Sequence, residues 1–336
     1  MMTERAIKEV SVTHKQELPV ELLTSDSPWV ARGFVEAWPI VQSANSSIEE
    51  SLTGLLTFYQ QKPVSTIIAE PEHRGRFFYD DNLSGFNFLS LETSLPQVIE
   101  QLLVNRHAAD PPGIYVGSTN VDEWLPGFTD ANPLVSALPN LITSLWLGNQ
   151  SRISAHFDFP RNIACCIFGK RRFTLAPPEQ IENLYIGPLD FTPAGQPISL
   201  VDFSNPDYAR FPRFKEAEKA LLTVELEPGD AVYIPSLWWH HVEGLDPING
   251  LINYWWHEIN PVNGSPIDAL KHALLSVRCL PKAQRDAIKH FFNHYIFADD
   301  NNHLAHMPEA IAANFDSNNQ DTAQRLRNHL QRTLAH

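Results

Sequence analysis

The sequence predicts a mainly β protein with flanking helices, in which an antiparallel sandwich or barrel is followed by a C-terminal helical segment. Twenty-six prolines, nineteen phenylalanines and eight tryptophans are typical of short strands and rigid turns rather than of a helical bundle. Between residues 142 and 260, short β-branched and aromatic runs alternate with turn residues. After Ser265, apolar residues recur instead at helical spacing.

The composition narrows the classes of function. A chain of 336 residues with 43% hydrophobic content fills a sizeable core in one large domain or two ordinary ones. The formal charge of −14 argues against a nucleic-acid partner, because such proteins need a basic surface. The sequence shows no signal peptide and no membrane span. Three cysteines form no disulfide framework, so we expect a cytoplasmic protein with Cys165 and Cys166 as buried thiols on a strand.

Local patterns predict the order of elements. Residues 27–44 indicate a strand, a glycine turn and a helix start, and residues 75–88 have the alternating pattern of a hairpin. Residues 111–119 read as a strand opened by two prolines. The clearest strands lie within "ACCIFGKRRFTLAPP" (164–178) and "LEPGDAVYIPS" (226–236).

The pattern changes at Ser265, which has the features of a helix N-cap followed by Pro266 at the first helical position. Two further amphipathic segments, "PKAQRDAIKHFFNHYIF" and "DTAQRLRNHLQRTLAH", continue as helices. We therefore predict one domain over residues 1–263, with its barrel core at about 112–260, and a helical region over 264–336. The apolar stripes of these helices need a partner, either the β domain or a second subunit, and we interpret the region as packing or dimerisation.

The stretch "SAHFDFPRN" contains a candidate metal site. His156 and Asp158 lie two apart, so on a strand their side chains share one face, with Cα atoms about 6.6 Å apart. A His-x-Asp pair occurs by chance in many chains, and a third ligand is needed. His240 is the candidate; His241 points away from it on a strand, and His257 is interpreted as structural.

The candidate third ligand stands in a specific pattern. In "GDAVYIPSLWWHHV", Gly-x5-Pro-x4-His leads to His240 and resembles the second motif of cupin barrels, where the histidine closes a metal site. His156, Asp158 and His240 would then form a two-histidine, one-carboxylate triad. That ligand set holds iron(II) on one face and leaves positions free for co-substrate and oxygen.

Residues 142–258 resemble the Jumonji-C, cupin-like oxygenases. Among the members of that family, this stretch is most similar to the asparaginyl hydroxylase of the hypoxia-inducible transcription factor. The resemblance implies a double-stranded β-helix (jelly-roll) core, a catalytic domain over residues 1–263, iron(II) and 2-oxoglutarate as cofactors, and a homodimer held by the C-terminal helices. It rests on "AHFD", "NIACCIFGKRRFTLAPPEQIENLY", "VDFSNPDYARFPRF", "EPGDAVYIPSLWWHHVE" and "NYWW", which occur in the family's order.

The resemblance also implies an anchor for the far carboxylate of 2-oxoglutarate. The family has a lysine at the position that Arg171 occupies here, and Lys170 falls one place earlier. Arginine makes the same ion pair with a two-pronged geometry. Arg171 is our candidate anchor; Lys170 is the alternative, and a solvated basic edge formed by both with Arg172 is the third interpretation.

Four further positions bear on co-substrate binding. By resemblance, Asn162 and Asn253 match amides that line the co-substrate pocket, and Tyr115 matches a tyrosine that contacts the far carboxylate. Ile153 stands where the family has a threonine, which removes one hydrogen-bond donor.

The leading hypothesis is an iron(II)- and 2-oxoglutarate-dependent dioxygenase that hydroxylates a side chain of a protein or peptide. The alternatives are a metal-binding or sensor protein without turnover, a lysine demethylase with the same iron chemistry, and a metal-dependent isomerase or dioxygenase without 2-oxoglutarate. The expected partner is a protein, peptide or small-molecule substrate, with no nucleic acid and no membrane.

Overall fold

The computed structural model describes residues 5–136, 138, 140–193, 195–257, 264–298, 304–316 and 319–334. The chain divides into two compact units, Met1–Trp256 and His257–His336. All of the described strands belong to the first unit, and the described part of the second is helical. The expected boundary between residues 263 and 264 lies at the edge of a range outside the described residues, and it stays a prediction.

The first unit is rich in strands and the second in helices. The strands are β1 Arg5–Ala6, β2 Lys8–Glu9, β3 Trp29–Ala31, β4 Val64–Ala69, β5 Arg76–Phe77, β6 Phe88–Thr93, β7 Gly113–Asn120, β8 Ile142–Gly148, β9 Arg152–His156, β10 Arg161–Phe168, β11 Arg171–Ala176, β12 Leu222–Leu226, β13 Ala231–Ile234, β14 Trp239–Gly244 and β15 Asn249–Trp256. The helices are α1 Val20–Leu23, α2 Pro39–Ser46, α3 Ile48–Leu56, α4 Leu95–Asn105, α5 Val121–Trp124, α6 Phe128–Ala131, α7 Phe214–Glu218, α8 Pro266–Ser276, α9 Lys282–Tyr295, α10 Glu309–Ala312 and α11 Gln320–Leu334. Short 3₁₀ helices span Pro71–His73, Pro178–Asn183 and Ala313–Phe315.

The strands form two sheets. One has six strands in the order β1-β12-β11-β14-β9-β5, and the other has nine in the order β2-β3-β13-β10-β15-β8-β7-β4-β6. From β8 to β15 the chain crosses repeatedly between the two sheets, and the central strands pair antiparallel. This is the jelly-roll arrangement, so the predicted mainly β fold with flanking helices is confirmed.

Strand β10 shows how alternation builds the two cores. Cys165 packs in the cluster between the nine-stranded sheet and helices α2, α3 and α4, whereas Cys166 packs in the cluster between the sheets. Both cysteines are free and buried, as expected, and burial raises the pKa of the Cys166 thiol to about 12. After β10, Gly169 turns the chain with φ of +68°, where a side chain would strike the carbonyl of Ile248.

The hairpin predicted for residues 75–88 is confirmed at its turn, but its two arms do not continue as a paired ladder. β5 joins the six-stranded sheet and β6 joins the nine-stranded sheet, and only the bridge between Tyr79 and Phe86 remains of the pairing. The Asp80 carboxylate accepts hydrogen bonds from within its own turn. The Asn87 side chain accepts a hydrogen bond from the Phe78 backbone N–H at 2.8 Å and donates one to the Arg76 carbonyl oxygen at 2.9 Å. These side-chain bonds stand where alternation alone predicted backbone ladder bonds.

The second unit begins as the sequence predicts. The Ser265 side chain accepts a hydrogen bond from the backbone of Ile267, and Pro266 opens α8. Helices α8 and α9 bury no residue, and large apolar side chains such as Leu275 and Phe291 are exposed. Within the described parts of the chain, no helix is both long enough and apolar enough to cross a bilayer.

Candidate metal and co-substrate site

Two neighbouring strands of the six-stranded sheet carry the predicted metal ligands. His156 ends β9, and His240 is its direct register partner on β14. Asp158 follows two residues after His156, and its Oδ2 lies 3.6 Å from His240 Nε2. One ligand atom from each of the three residues lies within 4.8 Å of the other two, a spacing that one metal ion can bridge.

The backbone fixes the orientation of both imidazoles. His156 Nδ1 lies 2.9 Å from the carbonyl oxygen of Ser154, and His240 Nδ1 lies 3.0 Å from that of Trp238. Because a carbonyl only accepts, each Nδ1 donates its proton there. The Nε2 lone pairs are thereby left for a metal, the arrangement that metal-ligating histidines adopt.

The protonation states of His156 and Asp158 suit the binding of a cation. Burial, together with the neighbouring His240, lowers the pKa of His156 to about 4, so that the imidazole is neutral at pH 7. Burial acts to raise the pKa of Asp158, but the neighbouring His240 and His156 outweigh it and hold this pKa below its usual value. A neutral imidazole at His156 and an ionised carboxylate at Asp158 are protonation states that metal binding requires.

The other candidate histidines lie elsewhere. His241 is buried on the opposite face of β14, with Nε2 3.4 Å from the Ser204 hydroxyl and 3.8 Å from Glu243. His257 is exposed and is not part of the ligand cluster. Strand alternation, as predicted, thus separates His240 from His241.

The triad opens into a cavity of about 180 Å³ between the sheets. Its walls are mostly apolar, with rings from Phe77, Phe88, Phe173 and Trp255. The structure brings all of the predicted site residues to this one cavity: Tyr115, His156, Asp158, Asn162, Arg171, His240 and Asn253.

The three adjacent basic residues have different environments. Arg171 is 1% exposed and lines the cavity, and its Nη2 donates to the carbonyl oxygens of Trp146 and Asn249 at 3.4 Å. Lys170 is exposed and pairs with Glu227 at 2.7 Å. Arg172 likewise pairs outside the cavity with carboxylates on neighbouring strands. A buried carboxylate in this cavity would therefore meet Arg171 rather than its neighbours.

The remaining predicted residues are buried polar groups. Burial raises the pKa of Tyr115 to about 12, although the nearby Arg171 guanidinium acts in the opposite direction. Asn253 Nδ2 donates to Asn162 Oδ1 at 2.7 Å across β15 and β10. The phenol stays protonated at neutral pH, so it can donate a hydrogen bond to an anion.

Four buried polar atoms of the cavity walls have no hydrogen-bond partner among the described residues. They are Trp146 Nε1, Arg171 Nε, Asn253 Oδ1 and Trp255 Nε1. Buried polar groups in native proteins are nearly always paired, so this concentration calls for a ligand. Three of the four atoms are donors, which would suit a ligand that carries acceptor oxygens.

Sequence reasoning missed part of the wall. Trp146 lines the cavity and was not singled out, although alternation along β8 and its pairing with Leu251 place it on the inner face. Phe77 and Phe88 come from strands outside the barrel core, and no local signal marks them as pocket residues. Ile153, which stands where the family has a threonine donor, also lines the cavity.

A two-sheet jelly roll with a His–Asp–His cluster in its interior defines a barrel of the cupin type with a candidate metal site. The chain belongs to the cupin-like domain family, whose family model matches residues 15–261. The expected membership is thereby confirmed.

The chain is also similar to named Jumonji proteins and their relatives. HSPB1-associated protein 1 of Rattus norvegicus is 34% identical over 115 residues, which cover 34% of this chain and 23% of that protein. The lysine-specific demethylase JMJ31 of Arabidopsis thaliana is 31% identical over 136 residues, covering 40% and 23%. Jumonji C domain-containing protein 5 of Drosophila melanogaster is 31% identical over 112 residues, covering 33% and 26%. The matched segment thus spans about a quarter of each relative.

Proposed function

We propose that this protein is an iron(II)- and 2-oxoglutarate-dependent dioxygenase that hydroxylates a side chain of a protein or peptide. The observation that carries the proposal is the shared cavity, which has His156, Asp158 and His240 among its walls and the buried guanidinium of Arg171 at the same interior. One cavity therefore contains side chains that could bind a metal ion and a buried cation that could bind an anion.

The donor set fits iron. His156 and His240 would bind through Nε2 and Asp158 through a carboxylate oxygen, the two-histidine, one-carboxylate set of non-haem iron(II) oxygenases. Bound iron(II) would supply the activation of dioxygen that oxidises a C–H bond. The carbonyls of Ser154 and Trp238 keep both rings in the tautomer that presents Nε2.

The polar wall residues would orient the co-substrate. Arg171 and Tyr115 offer a buried cation and a protonated phenol for the far carboxylate of 2-oxoglutarate. The Asn162–Asn253 pair presents amide groups to the same cavity. The surrounding rings exclude water, which strengthens these electrostatic contacts.

The reaction balances with the named reactants. One oxygen atom of dioxygen enters succinate as 2-oxoglutarate loses carbon dioxide, and the other forms the hydroxyl group on the substrate carbon. The test supplies purified protein with iron(II), ascorbate and 2-oxoglutarate, and measures succinate and carbon dioxide with and without a peptide panel. Stimulated succinate formation and a peptide heavier by one oxygen atom support the proposal. Iron binding without any turnover contradicts the proposal and favours the sensor alternative. That alternative is motivated by Arg171 and Ile153, which stand where the family has a lysine and a threonine.

Lysine demethylation is the second candidate, because a relative bears the name of a lysine-specific demethylase. Hydroxylation ranks first because the sequence motifs resemble those of the asparaginyl hydroxylase of the hypoxia-inducible transcription factor. The two outcomes differ in product, since hydroxylation of an N-methyl group releases formaldehyde. Formaldehyde from a methyl-lysine peptide, with no hydroxylated product from unmethylated peptides, would select the demethylase.

We further propose that the protein acts in the cytoplasm as a homodimer held by the second unit. The exposed apolar residues of α8 and α9, including Leu275 and Phe291, support an interface there. The charge of −14 favours a basic peptide as substrate over a nucleic acid.

A further inference from the structure

We propose that the indole N–H of Trp146 is a third donor to the far carboxylate of the 2-oxoacid, beside Arg171 and Tyr115. This inference rests on the proposed function and names a residue that sets the selectivity of its co-substrate site. It predicts a preference for 2-oxoacids that end in a second carboxylate.

Trp146 lies close to both Arg171 and Tyr115. Its backbone carbonyl accepts a hydrogen bond from Arg171 Nη2 at 3.4 Å, so the residue adjoins the guanidinium. Its ring lies 6.0 Å from the Tyr115 ring, centroid to centroid. Trp146 thus belongs to the same part of the cavity wall as the cation and the phenol.

The indole N–H of Trp146 is available for a hydrogen bond to a ligand. Its Nε1 is buried and has no acceptor among the described residues, although the side chain lines the cavity. An indole nitrogen can only donate. Trp146 Nε1 is thus a buried donor in a cavity that Arg171 also lines, and a carboxylate can accept hydrogen bonds from several donors at once.

Ile153, on the facing wall, offers no hydrogen-bond donor. Ile153 lines the cavity and packs in the same apolar clusters as Trp146, but its side chain has no polar atom. Asn162 and Asn253 bond each other on β10 and β15. Trp146 is therefore a buried N–H donor that a carboxylate could gain in addition to Arg171 and Tyr115, in a cavity that the hydroxyl-bearing Ser118 and Ser154 also line.

Trp255 provides a matched comparison. Its Nε1 is also buried without a partner among the described residues, and its ring lies 5.7 Å from that of Trp146. However, Trp255 pairs with Asn162 in the β10–β15 register and makes no hydrogen bond with Arg171. Trp255→Phe therefore removes the same chemical group at a position away from the anchor.

The test is calorimetric binding in the presence of manganese(II), with no turnover required. The ligands are 2-oxoglutarate and 2-oxopentanoate, which has the same carbon chain without the far carboxylate. Trp146→Phe should weaken 2-oxoglutarate binding about tenfold or more, as expected for a lost hydrogen bond to a charged group, and leave 2-oxopentanoate unchanged. Trp255→Phe should leave the ratio of the two affinities unchanged.

Two further variants keep the test decisive. Ile153→Thr in the Trp146→Phe background restores a donor from the facing wall and should recover part of the 2-oxoglutarate preference. Trp146→His keeps a ring N–H and should retain the preference if Trp146→Phe fails to fold, as judged by thermal melting. An unchanged ratio in folded Trp146→Phe, or equal losses for both ligands, overturns the role of Trp146. Failure of the wild-type protein to bind 2-oxoglutarate with manganese(II) overturns the proposed function itself.

Discussion

The imidazole rings of His156 and His240 lie across neighbouring strands with their centroids 4.2 Å apart and their planes inclined by 53°. The two residues are register partners in the β9–β14 pair, and the register shifts immediately after His240. The close approach of the two rings brings one ligand nitrogen from each to within 4.8 Å of the other and of an Asp158 carboxylate oxygen. The pairing of the strands thus builds most of the metal site before any metal is present.

His240→Ala should abolish tight metal binding. Loss of even an outer hydrogen-bond partner of a metal ligand lowers affinity by roughly 10–100-fold, so loss of a ligand should lower it by more than about a hundredfold. Calorimetric titration with manganese(II) measures the change. His257→Ala is the control, since His257 is exposed and outside the cluster, and equal losses in both variants would contradict the assigned triad.

Much of this site could be predicted because strand periodicity is local information. His156 and Asp158 share a face by their spacing alone, and alternation separates His240 from His241. The position of Trp146 in the wall was missed because it depends on the register between β8 and β15, which is set by long-range pairing. The hairpin predicted over residues 75–88 is confirmed only at the Tyr79–Phe86 bridge for a similar reason, because its two arms join different sheets through long-range pairing.

Arg171→Met should remove 2-oxoglutarate binding while leaving manganese(II) binding intact. The substitution keeps an elongated apolar side chain but removes the buried cation that the far carboxylate would need. Lys170→Ala is the matched control, because Lys170 is exposed and pairs with Glu227 outside the cavity. Calorimetry with manganese(II) present measures both variants. If Lys170→Ala loses 2-oxoglutarate and Arg171→Met keeps it, the anchor has been assigned to the wrong residue.

Tyr115 should make stability fall at alkaline pH. Burial raises its pKa from 10 to about 12, so the folded state favours the neutral phenol. That contribution is fully present below pH 10 and is lost as the pH rises from 10 towards 12, by about 3 kcal/mol in the limit. Urea unfolding of the wild type and Tyr115→Phe at pH 8, 10 and 11 isolates the effect. The difference in unfolding free energy between the two proteins should change with pH above 10, and a constant difference would refute this assignment.

Two glycines should respond oppositely to replacement by alanine. A methyl group on Gly250 in β15 would overlap the Phe168 ring, and overpacking of this kind costs about 1–3 kcal/mol. Gly54, inside α3, has open space at the same position, and alanine there should stabilise the helix by about 0.5–1 kcal/mol. Chemical denaturation measures both variants. A stabilising Gly250→Ala would show that the sheet accommodates the methyl group.

Paired substitutions in the second unit should convert a dimer into a monomer. Phe291 and Ile296, in and directly after α9, are 60% and 66% exposed, and burial of such side chains is the main driving force for association. Phe291→Ser with Ile296→Ser should halve the mass measured by light scattering while leaving manganese(II) binding intact, because the triad lies in the first unit. Lys289→Ser, on the same helix, removes an exposed charge rather than apolar surface and should stay dimeric. A monomeric wild-type protein, or a dimer that survives the paired substitution, would assign these apolar residues to something other than self-association.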